Sequence, residues 1–474
     1  MNSSNLARAP RRARMASSIA AAVAVLAASA CQDPAFGRSP EPATHASRVS
    51  AKHLVPMSHT VTSCSDDFVP GTLRWTLADP NTHSGDSVDL SQLTCSHITL
   101  GSELKIHQDD LTLLGPGPAP GFLSLVAYNQ SGIIEHFGYG TLEIHGLDIQ
   151  QGYFTSDTDP TGGCVWSRGT LSLIDTNVHF CGARSLSATA PAFGGALYTK
   201  GSLSLVRSVV SNSRAYSFVG GAAAGGGAFV KGNLTSDSSA ITDNIARTTN
   251  GGTGKGGGAF VRGSVDIDSS TIAGNRANVG GGLAFYSSGA PSVSATLTNS
   301  TVSGNSAIGS VGGIYSTMPL KLASTTIAFN RALDPSSTGG GLFVESDLDM
   351  TNSIVAYNVT TSGASDIDGS AGVVISGSKN LVLQAGPHVT VPMDTIDACP
   401  KLDALVVSGG FTPTHRLRQA SAAIDNGDAG NLSTDQRGLP RVAGPSADIG
   451  SVEQQDGEPE ERVMSSSFDG PCDL

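Results

Sequence analysis

The chain has 474 residues, enough for two or three ordinary domains or for one elongated repeat body with end pieces. Only 14% of residues are charged and 5% aromatic, while glycine reaches 58, a mixture poor in helix formers and rich in strand and turn residues. The net charge of −12 excludes a general nucleic-acid binder, which needs a sustained basic surface.

Arg8, Arg11, Arg12 and Arg14 make a basic leader, residues 19–30 are a short apolar run, and Ala28-Ser29-Ala30 close it with small residues. This is the pattern of an export signal over residues 1–30, too short to remain as a membrane span. Cys31 follows, so the segment resembles a bacterial lipoprotein signal in which that cysteine is lipidated, although Ala28 stands where such signals usually carry Leu. Ordinary cleavage after Ala30 fits as well. The protein is therefore expected outside the inner membrane: at the outer membrane or cell surface if lipidated, otherwise periplasmic or secreted. Residues 31–59 lack periodicity and carry Pro34, Pro40 and Pro42, as a flexible tether would.

From Thr60 the pattern changes. Residues 71–77 (GTLRWTL) predict a short amphipathic helix, and 87–90, 98–100, 104–106 and 111–113 predict brief alternating strands with turn residues between them. A terminal helix over the open end of a stack is one way a repeat fold protects its edge.

An internal repeat dominates the middle of the chain. One copy reads Gly257-Gly258-Ala259-Phe260-Val261-Arg262-Gly263-Ser264-Val265-Asp266-Ile267 and closes with Ser270-Thr271-Ile272-Ala273-Gly274-Asn275. Others begin at Gly162, Gly194, Gly226, Gly281, Gly312 and Gly340. Asn212, Asn244, Asn275, Asn330 and Asn358 stand at one common offset from their glycine pairs; the copy ending at Asn305 has an insertion, and the first copy has Cys181 near that position. Strands of three to five residues are too short for an isolated hairpin sheet, but stacked coil on coil each pairs with its equivalents above and below. Repeated Val, Ile and Leu fill the interior, and an Asn repeated at one corner can form an amide ladder. A propeller would need four longer strands per repeat. The reading is an all-β, right-handed parallel β-helix over residues 60–384, capped at its N-terminal end.

Seven cysteines leave one unpaired in an oxidising compartment. With Cys31 set aside, the rest fall as local pairs: Cys64 with Cys95, Cys164 with Cys181, and Cys399 with Cys472. Spacing alone does not fix that connectivity. No CxxC or Cys/His cluster recommends zinc.

The Gly-Gly-Ala element with its spaced Asn resembles the repeats of polymorphic outer-membrane proteins, and residues 64–106 resemble the cap that precedes such helices. Toward the C-terminus, Gly409-Gly410-Phe411-Thr412-Pro413-Thr414-His415, then Ser421-Ala422-Ala423-Ile424-Asp425-Asn426-Gly427-Asp428, Thr434-Asp435-Gln436-Arg437-Gly438-Leu439-Pro440-Arg441 and Ala447-Asp448-Ile449-Gly450-Ser451-Val452-Glu453 look like the choice-of-anchor Q domain. These resemblances imply a surface-presented or envelope-anchored protein and no particular reaction. They place a small C-terminal domain at 385–453 and leave 454–474 as a flexible acidic tail. The chain stops soon after the domain without a hydrophobic sorting tail; an N-terminal lipid would fill that role.

Four successive repeats carry a base just before a turn glycine: Arg168, Lys200, Lys231 and Arg262. Two residues earlier stand Trp166, Tyr198, Phe229 and Phe260, and later repeats continue with Phe285, Tyr315 and Phe343 without the base. Stacking would line these up as a basic and aromatic track suited to an acidic glycan. The competing reading is that the aromatics fill a core and the bases simply swing to solvent. Longer loops at 215–225 and 246–256 follow the Asn corner, where stacked insertions often form a binding face.

Catalysis would need a base beside a charge-neutralising group, or paired carboxylates. Asp237, Asp266 and Asp268 do not recur as a compact cluster. Glu345, Asp347 and Asp349 alternate, which would put them on one strand face somewhat better placed for a metal, but a charged outer face is the preferred reading; no cofactor is expected, calcium being the one possibility weighed. His136, His145 and His179 have no matched nucleophile, and Asp425, Asp428, Asp435, Arg437, Arg441 and Asp448 read as turn-capping and mutual pairing. The expected role is non-enzymatic adhesion to, or binding of, a polysaccharide or a host or envelope surface, with a polysaccharide lyase or glycoside hydrolase as the alternative. Membrane contact is expected only through the N-terminal lipid. Oligomeric state is open.

Overall fold

The structure is a computed structural model that describes residues 55–458 apart from 119, 120, 188, 219, 250–252, 288, 290, 291, 338 and 456. The expected export signal, Cys31 and Cys472 lie outside the described residues, as do most of the expected tether and tail.

The body is an all-β parallel β-helix. Each coil is well represented by Ala259–Val261, Val265–Asp268, Thr271–Ala273 and Arg276–Ala277, which belong to four separate sheets. These faces have 10, 12, 11 and 9 strands respectively. Neighbouring strands come from successive coils and pair in parallel, as in Val265↔Ala295 and Ile272↔Val302. Among the named strands, only the last pair of the fourth face, Val359–Thr360 with Gly363–Ala364, is antiparallel. Among the described residues no helix is long and apolar enough to cross a membrane.

Alternation drives this arrangement. On the second face Leu171, Leu203, Leu234, Val265, Ala295, Leu320 and Leu348 stack in register and are buried, while their sequence neighbours face out. Burying a Leu or Ile side chain contributes about 1.5–3 kcal/mol. Because every coil repeats the same inward positions, the gain recurs along the stack.

At the N-terminal end the expected helix is Leu73–Ala78. Thr72 caps it by accepting from the Trp75 N–H, and Leu73 and Leu77 join the main core. A Cys64–Cys95 disulfide staples this end, and Ser58–Thr60 already pairs with Ser87–Asp89, so the ordered body starts slightly before Thr60.

The motif acquires a physical meaning coil by coil. The first glycine of each pair lies against the neighbouring coil: a Cβ on Gly257 would sit 2.2 Å from the Gly281 carbonyl oxygen. The second touches an asparagine, Gly258 against Asn275 and Gly313 against Asn330. Those asparagines form a buried ladder. Asn244 donates from both its backbone and its side chain to Asn275 Oδ1 (2.9 and 3.1 Å), Asn275 does the same to Asn305, Asn305 to Asn330 and Asn330 to Asn358.

Two sequence expectations need correction here. Asn212 is an exposed corner residue at φ 52°, and Ser213 occupies the ladder site, donating its N–H to Asn244 Oδ1. The count from the glycine pair misleads because Gly194 takes the left-handed site that Gly225 and Gly256 fill in later coils, shifting that copy by one. Asn305, set apart by its insertion, is a full member. In the first copy the sites of the second glycine and the asparagine are Cys164 and Cys181, joined by a disulfide. A covalent bond thus stands where later coils use a glycine–amide contact. Cys399 is also disulfide-bonded.

The ladder ends on a carboxylate. Asp366 Oδ1 accepts from the Asn358 backbone and side chain (2.8 and 2.9 Å), and Oδ2 accepts from the Gln384 N–H at 2.8 Å. The motif serine forms a second ladder: the N–H groups of Thr176, Ser208, Ser239 and Ser270 each donate to the next coil's hydroxyl.

Residues 399–453 fold back along the outside of the third face. Leu402, Leu417, Ala423 and Ile449 share one core with Ala328, Ile354, Ala356 and Leu381 of the helix. His415 meets Ser303 Oγ at 2.8 Å, Gln436 bonds to Thr301 and Thr271, and the Ser451 N–H donates to Thr326. Inside the arm, Arg437 pairs with Asp435 with both side chains buried, and Arg441 Nη2 donates to the carbonyls of Asp448 and Gly450.

Replacing Asn305 with Ala strands ladder donors and acceptors on both sides and is expected to cost about 2 kcal/mol or more. Asn212→Gly, which keeps the left-handed corner, should cost well under ~1 kcal/mol; denaturant midpoints of the two variants check this. Burial pushes the Asp366 carboxyl up to about 7 against the pull of its donors. A folded value above the unfolded one means the group favours folding at acid pH, and that contribution is lost as pH rises through about 7. Asp366→Asn should therefore flatten the fall in denaturation midpoint between about pH 5 and about pH 8.

Candidate functional site

The basic residues predicted from the repeat do form a row. The backbone N–H of each residue donates to the preceding coil at the same site: Arg168 to His136 O, Lys200 to Ser167 O, Lys231 to Thr199 O and Arg262 to Val230 O, all at 2.9–3.0 Å. The row thus advances by one strand spacing per coil, about 4.8 Å. Lys200 is exposed, and Arg168, Lys231 and Arg262 are half-buried. The following residue in each coil is a glycine, and a Cβ on Gly201, Gly232 or Gly263 would meet the backbone of the preceding coil's glycine at 2.4–2.6 Å. The tight corner fixes where the base emerges.

The aromatic column lies on the outer side of the first face. Trp166, Tyr198, Phe229 and Phe260 are direct register partners. Their rings stack, with centroids 6.4, 5.3 and 5.0 Å apart and interplanar angles of 10° or less. They are not open to solvent. Short strands Ala192–Phe193, Ala223–Ala224 and Gly254–Lys255 form a further 3-stranded sheet from the long loops, and Phe193 packs on Phe229 with ring centroids 4.7 Å apart. Phe260 is fully buried and Trp166 is only 6% exposed. The two competing readings therefore divide by residue: the rings are a second core, while the bases stand at its margin.

Phe285 is not part of this column. It pairs with Val261, points into the main core and leaves Ala284 opposite Phe260. The column continues through Tyr286, 5.0 Å from Phe260, then Tyr315 and Phe343. Tyr286 occupies the backbone site that the bases hold in earlier coils, donating its N–H to Val261 O, and Phe137 holds it at the other end, donating to Ile106 O. Alternation alone could not choose between adjacent Phe285 and Tyr286. The basic row is thus bracketed by aromatic residues in its own sites.

Several side chains tie base to ring. The Lys200 ammonium lies 5.6 Å from the Trp166 ring, and the Arg168 guanidinium lies 5.0 Å from the Tyr139 ring. Both reach back toward the preceding coil. Buried Lys255, from the covering strip, lies 4.5 Å from the Tyr286 ring. Such contacts anchor the cations at a partly desolvated edge.

Glu345, Asp347 and Asp349 do not share a strand face. Glu345 and Asp347 lie in the corner before Leu348–Thr351, and Asp349 lies inside that strand. Glu345 accepts from the Tyr315 hydroxyl, Asp347 accepts from the Val374 N–H, and Asp349 lies 3.8 Å from the Lys321 ammonium. Their separate partners draw them apart. Among the described residues no group of three or more His, Cys, Asp or Glu is arranged to hold a metal ion.

The histidines also have separate settings. His136 is buried, bonded to Ser167 Oγ and the Gln108 carbonyl, and burial lowers its pKa. His145 pairs with Glu143 at 2.6 Å. On the third face Asp148 sits between His179 (2.7 Å) and Ser124 (2.7 Å). A serine triad needs the histidine in the middle, between serine and carboxylate, so this order does not form one. On face two, Asp237 and Asp268 are register neighbours, and Asp268 is raised in pKa by burial and by Asp237 and Asp266.

No family model matches the chain, and no curated protein matches it. Among solved structures, the crystal structure of pectate lyase Pel9A aligns with a TM-score of 0.40 at 12% identity, covering 84% of this chain and 96% of that one.

If the rings are core, Phe229→Ala should cost about 3–5 kcal/mol. Lys231→Ala, two residues along the same chain direction, should stay within about 0.5 kcal/mol. Denaturation midpoints of the two single variants test this division.

Proposed function

We propose that the protein is a non-catalytic, surface-presented binder of acidic polysaccharide, and that the polymer lies across the coils along Arg168, Lys200, Lys231 and Arg262. The observation that carries the reading is the register of these four bases. A row of cations at one strand spacing per coil, about 4.8 Å, suits a linear polymer that bears one carboxylate or sulfate on each sugar ring. The core of rings beneath makes the support rigid, so little side-chain or backbone ordering is needed when the polymer docks.

Placement outside the cytosol agrees with the Cys64–Cys95 and Cys164–Cys181 disulfides, which persist in oxidising compartments. The leader and Cys31 support export and lipid anchoring, and the repeat and C-terminal resemblances support presentation at the envelope or surface. The body would then stand off the membrane on its tether as a rod whose first face is the adhesive one.

The test incubates the mature protein, with and without Ca²⁺, with acidic and neutral polysaccharides, following binding, double-bond absorbance and reducing ends together. The expected result is retention of acidic polymers alone, without product and weakening as salt rises. Lys200→Ala and Lys231→Ala should each lower affinity by about fivefold, ~1 kcal/mol, and the double variant should bind more weakly than either. Release of unsaturated or reducing products, or equal retention of neutral polymers, contradicts the proposal.

A further inference from the structure

The N-terminal end of the basic row terminates in a feature that sequence spacing does not reveal. Tyr139 is 75% exposed, the most exposed aromatic side chain among the described residues with a cation against its ring. Its placement is fixed. The Tyr139 N–H donates to Asp109 Oδ1 at 2.9 Å and the Thr141 N–H donates to Asp110 Oδ1 at 2.8 Å. Gly138 and Gly140 leave no slack on either side: a Cβ at either would come within 2.1–2.3 Å of atoms of Gln108 or Asp110. Arg168 covers one side of the ring from 5.0 Å and its Nη1 donates to the phenol oxygen at 3.3 Å. An exposed tyrosine is ordinary by itself. One held by two glycines and two backbone–carboxylate bonds, backed by the first base of a cationic row, is a preorganised platform.

We infer that Tyr139 and Arg168 form the end subsite of the row and receive a single uronate ring of the bound polysaccharide. This rests on the acidic-polysaccharide reading above and adds a sugar-specific contact to a row that otherwise reads only charge. The C–H face of a pyranose carries slightly positive hydrogens and packs on the negative face of an aromatic ring. The open side of Tyr139 offers that face, while Arg168, over the other side of the ring with Nη1 on the phenol oxygen, offers its remaining N–H groups to a carboxylate that reaches past the hydroxyl edge. Charge complementarity then continues through Lys200, Lys231 and Arg262, so the platform defines one end of the bound chain.

The experiment compares two probes of similar charge, an oligouronate and poly-glutamate, by calorimetric titration of the full mature protein. Wild type should bind both. Tyr139→Ala should weaken the oligouronate about threefold to tenfold and leave poly-glutamate unchanged, while Tyr139→Phe, which keeps the ring, should stay within about twofold of wild type for both. Lys231→Ala should weaken both probes. Equal loss of both probes in Tyr139→Ala, or no loss of either, overturns the subsite while leaving the cationic row standing. Failure of wild type to bind the oligouronate overturns the acidic-polysaccharide reading itself. Circular dichroism of each variant confirms that the exposed substitution leaves the helix intact.

Discussion

Register between successive coils is the constraint on which the rest of this structure depends. No strand here is long enough to persist by itself, and each is held by its equivalents one coil above and below. A slip of one residue would turn every inward Leu outward and every outward base inward. The buried amides from Asn244 to Asn358 guard against that slip. Each donates twice to the next, and each sits against a glycine that leaves it room, so only one alignment satisfies the whole series. The ladder has a direction, with donors pointing toward the C-terminal end, and Asp366 completes it as an acceptor, its other oxygen taking the Gln384 N–H. Where the ladder has not yet begun, the Cys164–Cys181 disulfide holds the same place.

That alignment is also what creates the proposed site. Arg168, Lys200, Lys231 and Arg262 are far apart in sequence and adjacent in space solely because their coils stack without offset. The same stacking packs Trp166, Tyr198, Phe229 and Phe260 into a second core outside the main one, covered by strands from the long loops. The molecule therefore has a stiff first face whose polar margin faces solvent. The third face differs along its length, because the arm of residues 399–453 lies over its C-terminal part through Gln436, Ser451 and His415. Burial lowers the His415 imidazole to about 4, so it docks as the neutral form.

The parallel β-helix and the existence of the basic row were legible from the repeat, and the short capping helix from the pattern of residues 71–77, while the cysteines offered local pairs whose connectivity their spacing left open. What escaped were details that turn on one residue. Asn212 matched the spacing of the ladder, yet the shifted Gly194 coil hands its place to Ser213. Phe285 and Tyr286 are adjacent, and it is the register of Leu283–Phe285 on Ala259–Val261 that turns Phe285 inward. Glu345, Asp347 and Asp349 alternate in sequence but straddle a corner, where alternation no longer tracks a face. Tyr139 carries no repeat signal because its coil precedes the first Gly-Gly copy. Its partnership with Arg168 arises from stacking, which a linear pattern does not display.

The most direct test of the account is the dependence of affinity on ligand length, measured by titrating the mature protein with oligouronates of increasing size. A row of bases on successive coils predicts that affinity rises with each added unit until the ligand spans the coils from Arg168 to Arg262 and then levels off, with the oligomers recovered intact. Affinity independent of length, or oligomers shortened during the titration, would contradict it.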